Sequence, residues 1–336
     1  MKVKSAFLLC ISFIVIILGV GIGSVSIPPL TVIKILVSKI LPVNLVTEDM
    51  QTLEVIILRV RLPRVLTAFV CGGALAMTGS IMQSCMKNLL ASAYTIGVSS
   101  GASLAAALSI FFGTSLSLMS LPLAGSIGAV LTIFAVVKFS QAVDRSLSNN
   151  TIILVGMTFS LFINAMLTVL VSLNHEKMGH LLFWQMGNFG WHSWSGLAVM
   201  FPCLVLAFLF LLHYASEADI LTFGDEQALS LGVQVERVKK KLLVVSSLLT
   251  GVVVAFVGII GFVDLIAPHV VRKYFGAQHK ILIPMSFLFG ASLMVLCDMV
   301  ARTILSPREL SVGAVTAIIG APFFAYMYFS KRGSHA

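Results

Sequence analysis

Long apolar runs, each about the length of a bilayer crossing, alternate with short polar joints along nearly the whole chain. The first run, residues 6–25, follows Lys2 and Lys4 and can cross a hydrocarbon core about 30 Å thick. A cleaved signal peptide has a shorter apolar region and a small-residue cleavage site, so this run reads as a retained span with the amino terminus inside. Residues 28–60 are mixed in character and read as an external loop with some helix. Further runs lie at about 65–84, 93–112, 119–138, 151–172, 195–214, 242–262, 281–300 and 311–329, with a shorter element at 264–275. The pattern predicts an all-α polytopic membrane protein with ten apolar segments in a single transmembrane domain, residues 1–336. One segment is too short to be a regular crossing by itself.

One polar island interrupts the pattern. Residues 213–241 read HYASEADILTFGDEQALSLGVQVERVKKK, and from Glu217 to Lys241 they hold nine of the chain's 35 Asp, Glu, Lys and Arg residues. Asp225 can cap a short helix by accepting from first-turn amides, and Gly232 can adopt the left-handed conformation that ends it. A second short helix is expected from about Gln234 to Lys240. Such an insert is either a solvated connector or a contact surface for something in water, and local pattern favours neither.

Composition agrees with a membrane location. The 336 residues are 58% hydrophobic and 10% charged, with a mean hydropathy of +1.04, where soluble domains carry about 25% charged residues. The net charge of +9 could suggest a nucleic-acid partner, but a cytoplasmic excess of Lys and Arg is the ordinary cause in membrane proteins. With ten passes and the amino terminus inside, 14 of the 22 Lys and Arg residues fall inside and 8 outside, the direction the positive-inside rule requires. This topology puts both termini and the island in the cytoplasm.

Cys10, Cys71, Cys85, Cys203 and Cys297 form no CxxC pair and read as packing residues. No Gly-Lys-Ser or Gly-Lys-Thr occurs, so any nucleotide that drives transport must be bound by another chain. His175 and His180 are five apart, which denies them the shared helix face of a zinc-binding HExxH. Gly97 and Gly101, among many glycines in the spans, read as points of close helix approach. Asp264 and Asp298 lie in apolar sequence and are read either as an ion or proton relay or as hydrogen-bonded carboxylates, Asp298 having Arg302 one turn away. Arg59, Arg61, Arg64, Arg302 and Arg308 fall on the outer side, where their forks suit the carboxylates of a partner or ligand; anchoring among lipid headgroups is the other reading.

Six blocks in order resemble a known family: RLPRVL at 61–66, GGALAMTGSIMQ at 72–83, IGVSSGAS at 96–103, GFVDLIAPHVVR at 261–272, DMVAR at 298–302 and ELSVGAVTAIIGAPFF at 309–324. Together they resemble the FecCD-type, BtuC-like permeases, the membrane subunits of type II ABC importers for ferric siderophores, haem and vitamin B12. The resemblance implies a permease that does no chemistry and binds no cofactor. It works with a second permease subunit, identical or paralogous, two cytoplasmic ATPase subunits that use ATP and Mg, and an extracytoplasmic binding protein, in a bacterial cytoplasmic membrane.

The resemblance also implies roles for particular residues. Arg61, Arg64 and Arg302 would dock the binding protein. Residues 215–241 would form the ATPase-coupling loop, with Asp225, Ala228, Leu229, Leu231, Gly232 and Val235 at the contact. Asn88, Leu90, Ser148, Asn149 and Asn150 would form the cytoplasmic gate, and the span at 151–172 would line the pathway. Two departures stand out: Leu89 replaces a proline common after Asn88, and Asp264 replaces a glycine. Ferric siderophore is the expected cargo, with haem or cobalamin as alternatives; a secondary transporter driven through Asp264 or Asp298 is a rival reading.

Overall fold

All ten apolar segments fold as helix, and their packing centres on one of them. The computed structural model describes residues 2–23, 25–41, 50–112, 120–145, 147–190 and 194–332. Among these, α1 is Lys2–Gly21, α2 Pro29–Ile40, α3 Gln51–Ile56, α4 Leu62–Cys85, α5 Val98–Phe111, α6 Ser120–Val143, α7 Asn149–Leu173 and α8 Met178–Gln185. The second half comprises α9 Trp194–His213, α10 Ala215–Phe223, α11 Asp225–Ser230, α12 Val235–Val257, α13 Val263–Phe275, α14 His279–Thr303 and α15 Val312–Arg332. No strand occurs among the described residues.

Among the described residues, seven helical stretches are long and apolar enough to cross a membrane: Val3–Gly21, Gln51–Cys85, Leu121–Val143, Asn149–Leu173, Trp194–His213, Val235–Val257 and His279–Thr303. Val98–Phe111 is a shorter apolar helix of 14 residues, α13 has 13, and α15 has 21. The ten expected segments therefore comprise eight long helices and two shorter ones, α5 and α13.

Three boundaries differ from expectation. A π-helical turn, Ile57–Arg61, joins α3 to α4, so the helix expected at 65–84 begins at Gln51. The insert holds an additional helix, α10. The short helix expected at Gln234–Lys240 is instead the beginning of α12, which continues unbroken to Val257. Its buried residues Val235, Val238, Lys239, Leu242, Leu243 and Ser246 recur at helical spacing, and this single stripe carries the helix from the insert into the bundle. Of the stretch read as an external loop, α2, α3 and the π turn are helical, while residues 42–49 lie outside the described residues.

α4 is buried along almost its whole length, with α14, α12, α13 and α9 packed around it. Its crossing with α14 is closest at Gly72, where a Cβ would collide with the Gly290 carbonyl. Lipid offers no hydrophobic drive for helix association, so this backbone-to-backbone approach supplies packing in its place. α4 and α14 run antiparallel: Arg64 near the start of α4 meets Asp298 near the end of α14, and Ser84 near the end of α4 meets His279 at the start of α14. From Arg64 to Ser84 the helix rises about 30 Å at 1.5 Å per residue, about one hydrocarbon thickness. Polar clusters close both ends of this helix pair.

Candidate functional site

At one end the arginines are enclosed. Arg61, Arg64 and Arg302 keep only 6%, 8% and 6% of their surface exposed. Arg61 donates to the carbonyls of Val20 at 3.0 Å and Gly21 at 2.7 Å, and also to that of Val25. Arg302 donates to Gly19, so two guanidinium groups cap the carboxyl end of α1, where unsatisfied carbonyls and the helix dipole favour a cation. Arg64 holds Asp298 by Nη2 at 2.8 Å and Nε at 3.0 Å, and Glu309 by Nη1 at 2.9 Å. Arg302 Nε lies 3.3 Å from the second oxygen of Asp298. None of the three arginines named as docking residues therefore presents a free fork. Arg59 and Arg308, on the same cap, are exposed, and no side-chain partner among the described residues engages them.

The same geometry places the two buried aspartates. Asp298, fully buried, is neutralised by Arg64 and Arg302, which gives it a structural position. Asp264 lies in the first turn of α13, two residues after the cap Phe262, packs its backbone against Gly79, and accepts from Ser92 Oγ at Oδ2. Its Oδ1 has no hydrogen-bond partner among the described residues.

At the other end the insert packs on α4 and α14 through Ala215, Ala218 and Leu221, and two acidic side chains anchor it. Asp219 of α10 accepts from the His279 backbone amide at 2.9 Å, capping α14 from a distant part of the chain, and lies 2.6 Å from His279 Nδ1. The other imidazole nitrogen lies 2.8 Å from Ser84 Oγ on α4. Asp225, the first residue of α11, takes Lys87 Nζ on one oxygen at 2.9 Å and Lys239 Nζ on the other at 2.6 Å. Partial burial pushes both carboxyl pKa values up. Hydrogen bonds from His279 to Asp219, and from Lys239 and Lys87 to Asp225, together with the nearby positive charges, outweigh it and hold both below the ordinary 3.8.

The expected cap is arranged differently. Asp225 does not cap α11; Gly224, at φ +135°, occupies the cap position, because the Asp225 carboxylate is already held by two lysines. Gly232 does take the left-handed conformation, at φ +82°, and the turn closes through Val233 N to Ala228 O at 3.0 Å.

The six named coupling residues divide between two roles. Ala228 and Val235 are buried and fasten α11 and α12 to the bundle. Leu229 is 61% exposed and Leu231 65% exposed, with Phe223 of α10 at 72%, so the insert turns large apolar side chains outward beside Gly232.

The named gate residues gather where α4 ends and α7 begins. Asn88 Oδ1 accepts from Leu90 N at 2.9 Å, a side-chain turn that orders the loop where Leu89 replaces proline. Leu90 is exposed. Ser148 caps α7 by accepting from Thr151 N, Asn149 Nδ2 donates to the Met86 carbonyl at 3.0 Å, and Asn150 is exposed. Lys239 Nζ donates to Asn149 Oδ1 at 3.0 Å and so links the start of α7 to the insert.

Lys239, Lys87, Asp219, His279 and Ser84 carry these links and were not singled out in the sequence. Lys239 left a signal there, being a lysine on the apolar stripe of α12. The others are brought together only by contacts across 60 to 195 positions of chain.

The model of the FecCD transport family matches residues 9–330. The uncharacterized ABC transporter permease YvrB of Bacillus subtilis is 36% identical over 98% of this chain and 94% of its own. The cobalamin import permease BtuC of Halobacterium salinarum is 35% identical over 82% of this chain and 74% of its own. The molybdate import permease MolB of Haemophilus influenzae is also 35% identical, over 97% and 95%. A solved structure assigned to the metal-chelate type of ABC transporter, in an inward-facing conformation, superposes with a TM-score of 0.86 at 31% identity, covering 98% of this chain and 100% of that one.

Proposed function

This chain belongs to the FecCD transport family, and from that premise we propose that it is the membrane-spanning subunit of an importer powered by separate ATPase subunits. The observation that carries the reading is the outward-facing set of Phe223, Leu229 and Leu231 on an otherwise polar insert. Large apolar side chains exposed to water beside a chain turn are the anchors a partner's groove would cover. The partner is an ATPase subunit that binds ATP and Mg; the permease itself does no chemistry. Two permease subunits, identical or paralogous, enclose the pathway in a bacterial cytoplasmic membrane, with both termini and the insert inside.

An extracytoplasmic binding protein delivers the cargo to the arginine end. There, five arginines face Asp298 and Glu309, leaving three positive charges in excess. Arg59 and Arg308 offer that charge to a partner's carboxylates, while Arg61, Arg64 and Arg302 form the platform beneath. We infer a metal chelate as cargo, with ferric siderophore the first to test and haem or cobalamin next. Permeases named for cobalamin and for molybdate stand at the same 35% identity, so overall identity does not choose the cargo.

The test of the coupling surface is Leu229→Asp combined with Leu231→Asp. Covering one leucine contributes about 1.5–3 kcal/mol, so co-purification of the ATPase should fall by at least about tenfold while the permease keeps its melting temperature. Normal assembly and transport by this variant would overturn the reading.

A further inference from the structure

Lys239 is fully buried, yet it is a lysine. A buried ammonium is costly unless paired, and an apolar side chain of similar volume is often at least as stable in its place. Its presence therefore calls for a positional role, and its contacts supply one.

The ammonium donates to Asp225 on α11 and to Asn149 at the start of α7. Asn149 in turn donates to the carbonyl of Met86, and the next residue, Lys87, returns to the other oxygen of Asp225. These contacts close a ring through the insert, the first turns of α12, the inner end of α7 and the loop after α4. Lys87 sits in the ring at φ +50°, a conformation uncommon for a residue with a side chain.

The attachment of α7 gives the ring its consequence. Along its 25 residues only Ile152, Gly156 and Ile163 are buried, so little of this helix is packed tightly against the rest of the chain. The ring is a firm tie at its inner end. Asp219 holds the insert separately, on His279 at α14, so the insert has one attachment to the buried α4 and α14 pair and another to α7.

We propose that Lys239 is the positioning residue through which displacement of the insert moves the inner end of α7 and hence the gate. This rests on the reading of the insert as the ATPase-coupling element. Asp225 and Asn149, assigned to coupling and to the gate, become two ends of one linkage. A lysine suits the junction because its several donors reach a carboxylate and an amide oxygen on different helices at once.

The experiment uses the full chain with its ATPase in lipid, the five native cysteines replaced by alanine, and one cysteine introduced at exposed Asn150 or exposed Ser230. Maleimide labelling rates are compared with and without ATP and Mg. With Lys239 present, ATP should change the rate at both positions, within the range of about 5- to 150-fold typical of site-to-site coupling. Lys239→Met should abolish the change at position 150 and leave it at position 230; Lys239→Arg should restore part of it. Asn149→Ala cuts the same linkage without removing a charge and should do likewise, which keeps the test intact if the methionine variant fails to assemble. Persistence of the response at position 150 in either variant overturns the role of Lys239. No response at position 230 in the parent overturns the coupling reading itself, and this inference with it.

Discussion

The two ends of the α4 and α14 pair are both rich in charge, and they use it in opposite ways. At the arginine end, Asp298 is fully enclosed between Arg64 and Arg302, and two guanidinium groups finish α1. At the insert end, the carboxylates of Asp219 and Asp225 remain about a third exposed, and apolar side chains face outward. The charges at the arginine end hold helices together; those at the insert end tether a body whose own surface is unfinished. Charge density alone therefore does not mark a contact surface. Which side chains it leaves uncovered does.

The sharpest way to break this contrast is Asp298→Ala. It leaves two buried guanidinium groups without their shared carboxylate, and loss of one member of a buried ion pair costs about 3–5 kcal/mol. Thermal unfolding of the purified chain in detergent should shift accordingly. A loss under about 1 kcal/mol would mean that the arginine network behaves like an exposed one.

A smaller effect is expected from Arg59→Glu combined with Arg308→Glu. Both side chains are exposed and unpaired among the described residues, so stability should hold within about 0.5 kcal/mol. Capture of the binding protein should weaken by about tenfold at low salt, and the difference should shrink as salt is raised. Unchanged capture would remove the arginine end from docking.

The mildest perturbation is acid. The Asp219 and Asp225 pKa values are lowered in the folded chain, so their contribution to holding the insert is full above the unfolded value near 3.8 and disappears as pH falls through the lowered values. The insert should stay resistant to proteolysis through mildly acid conditions. Cleavage by pepsin within 215–241 should increase only well below pH 3.8. Asp219→Asn and Asp225→Asn should each reduce that pH dependence. Release of the insert at pH 5 to 6 would show that other groups hold it.

Much of this was legible before any coordinates. Runs of apolar residues show where helices lie, because every backbone amide in a bilayer must be bonded within its own segment. The insert was visible as a break in that pattern, and Gly232 as the turn within it. Its division was less visible: α12 starts at Val235 and crosses the change from polar to apolar sequence without interruption, and only the stripe from Val235 to Leu243 marks the continuity. The short α10 carries too weak a pattern to announce itself.

The sequence by itself determined the helical class, the number of apolar segments and, through six ordered blocks, the family. Such features depend on local composition and spacing, which the chain carries in one dimension. Tertiary structure alone decided that Arg61, Arg64 and Arg302 are enclosed, that Asp298 is neutralised, and that Lys239 joins Asp225 to Asn149. Burial and ion pairing are set by whatever packs alongside, and here the partners lie as far as 283 positions away in the chain.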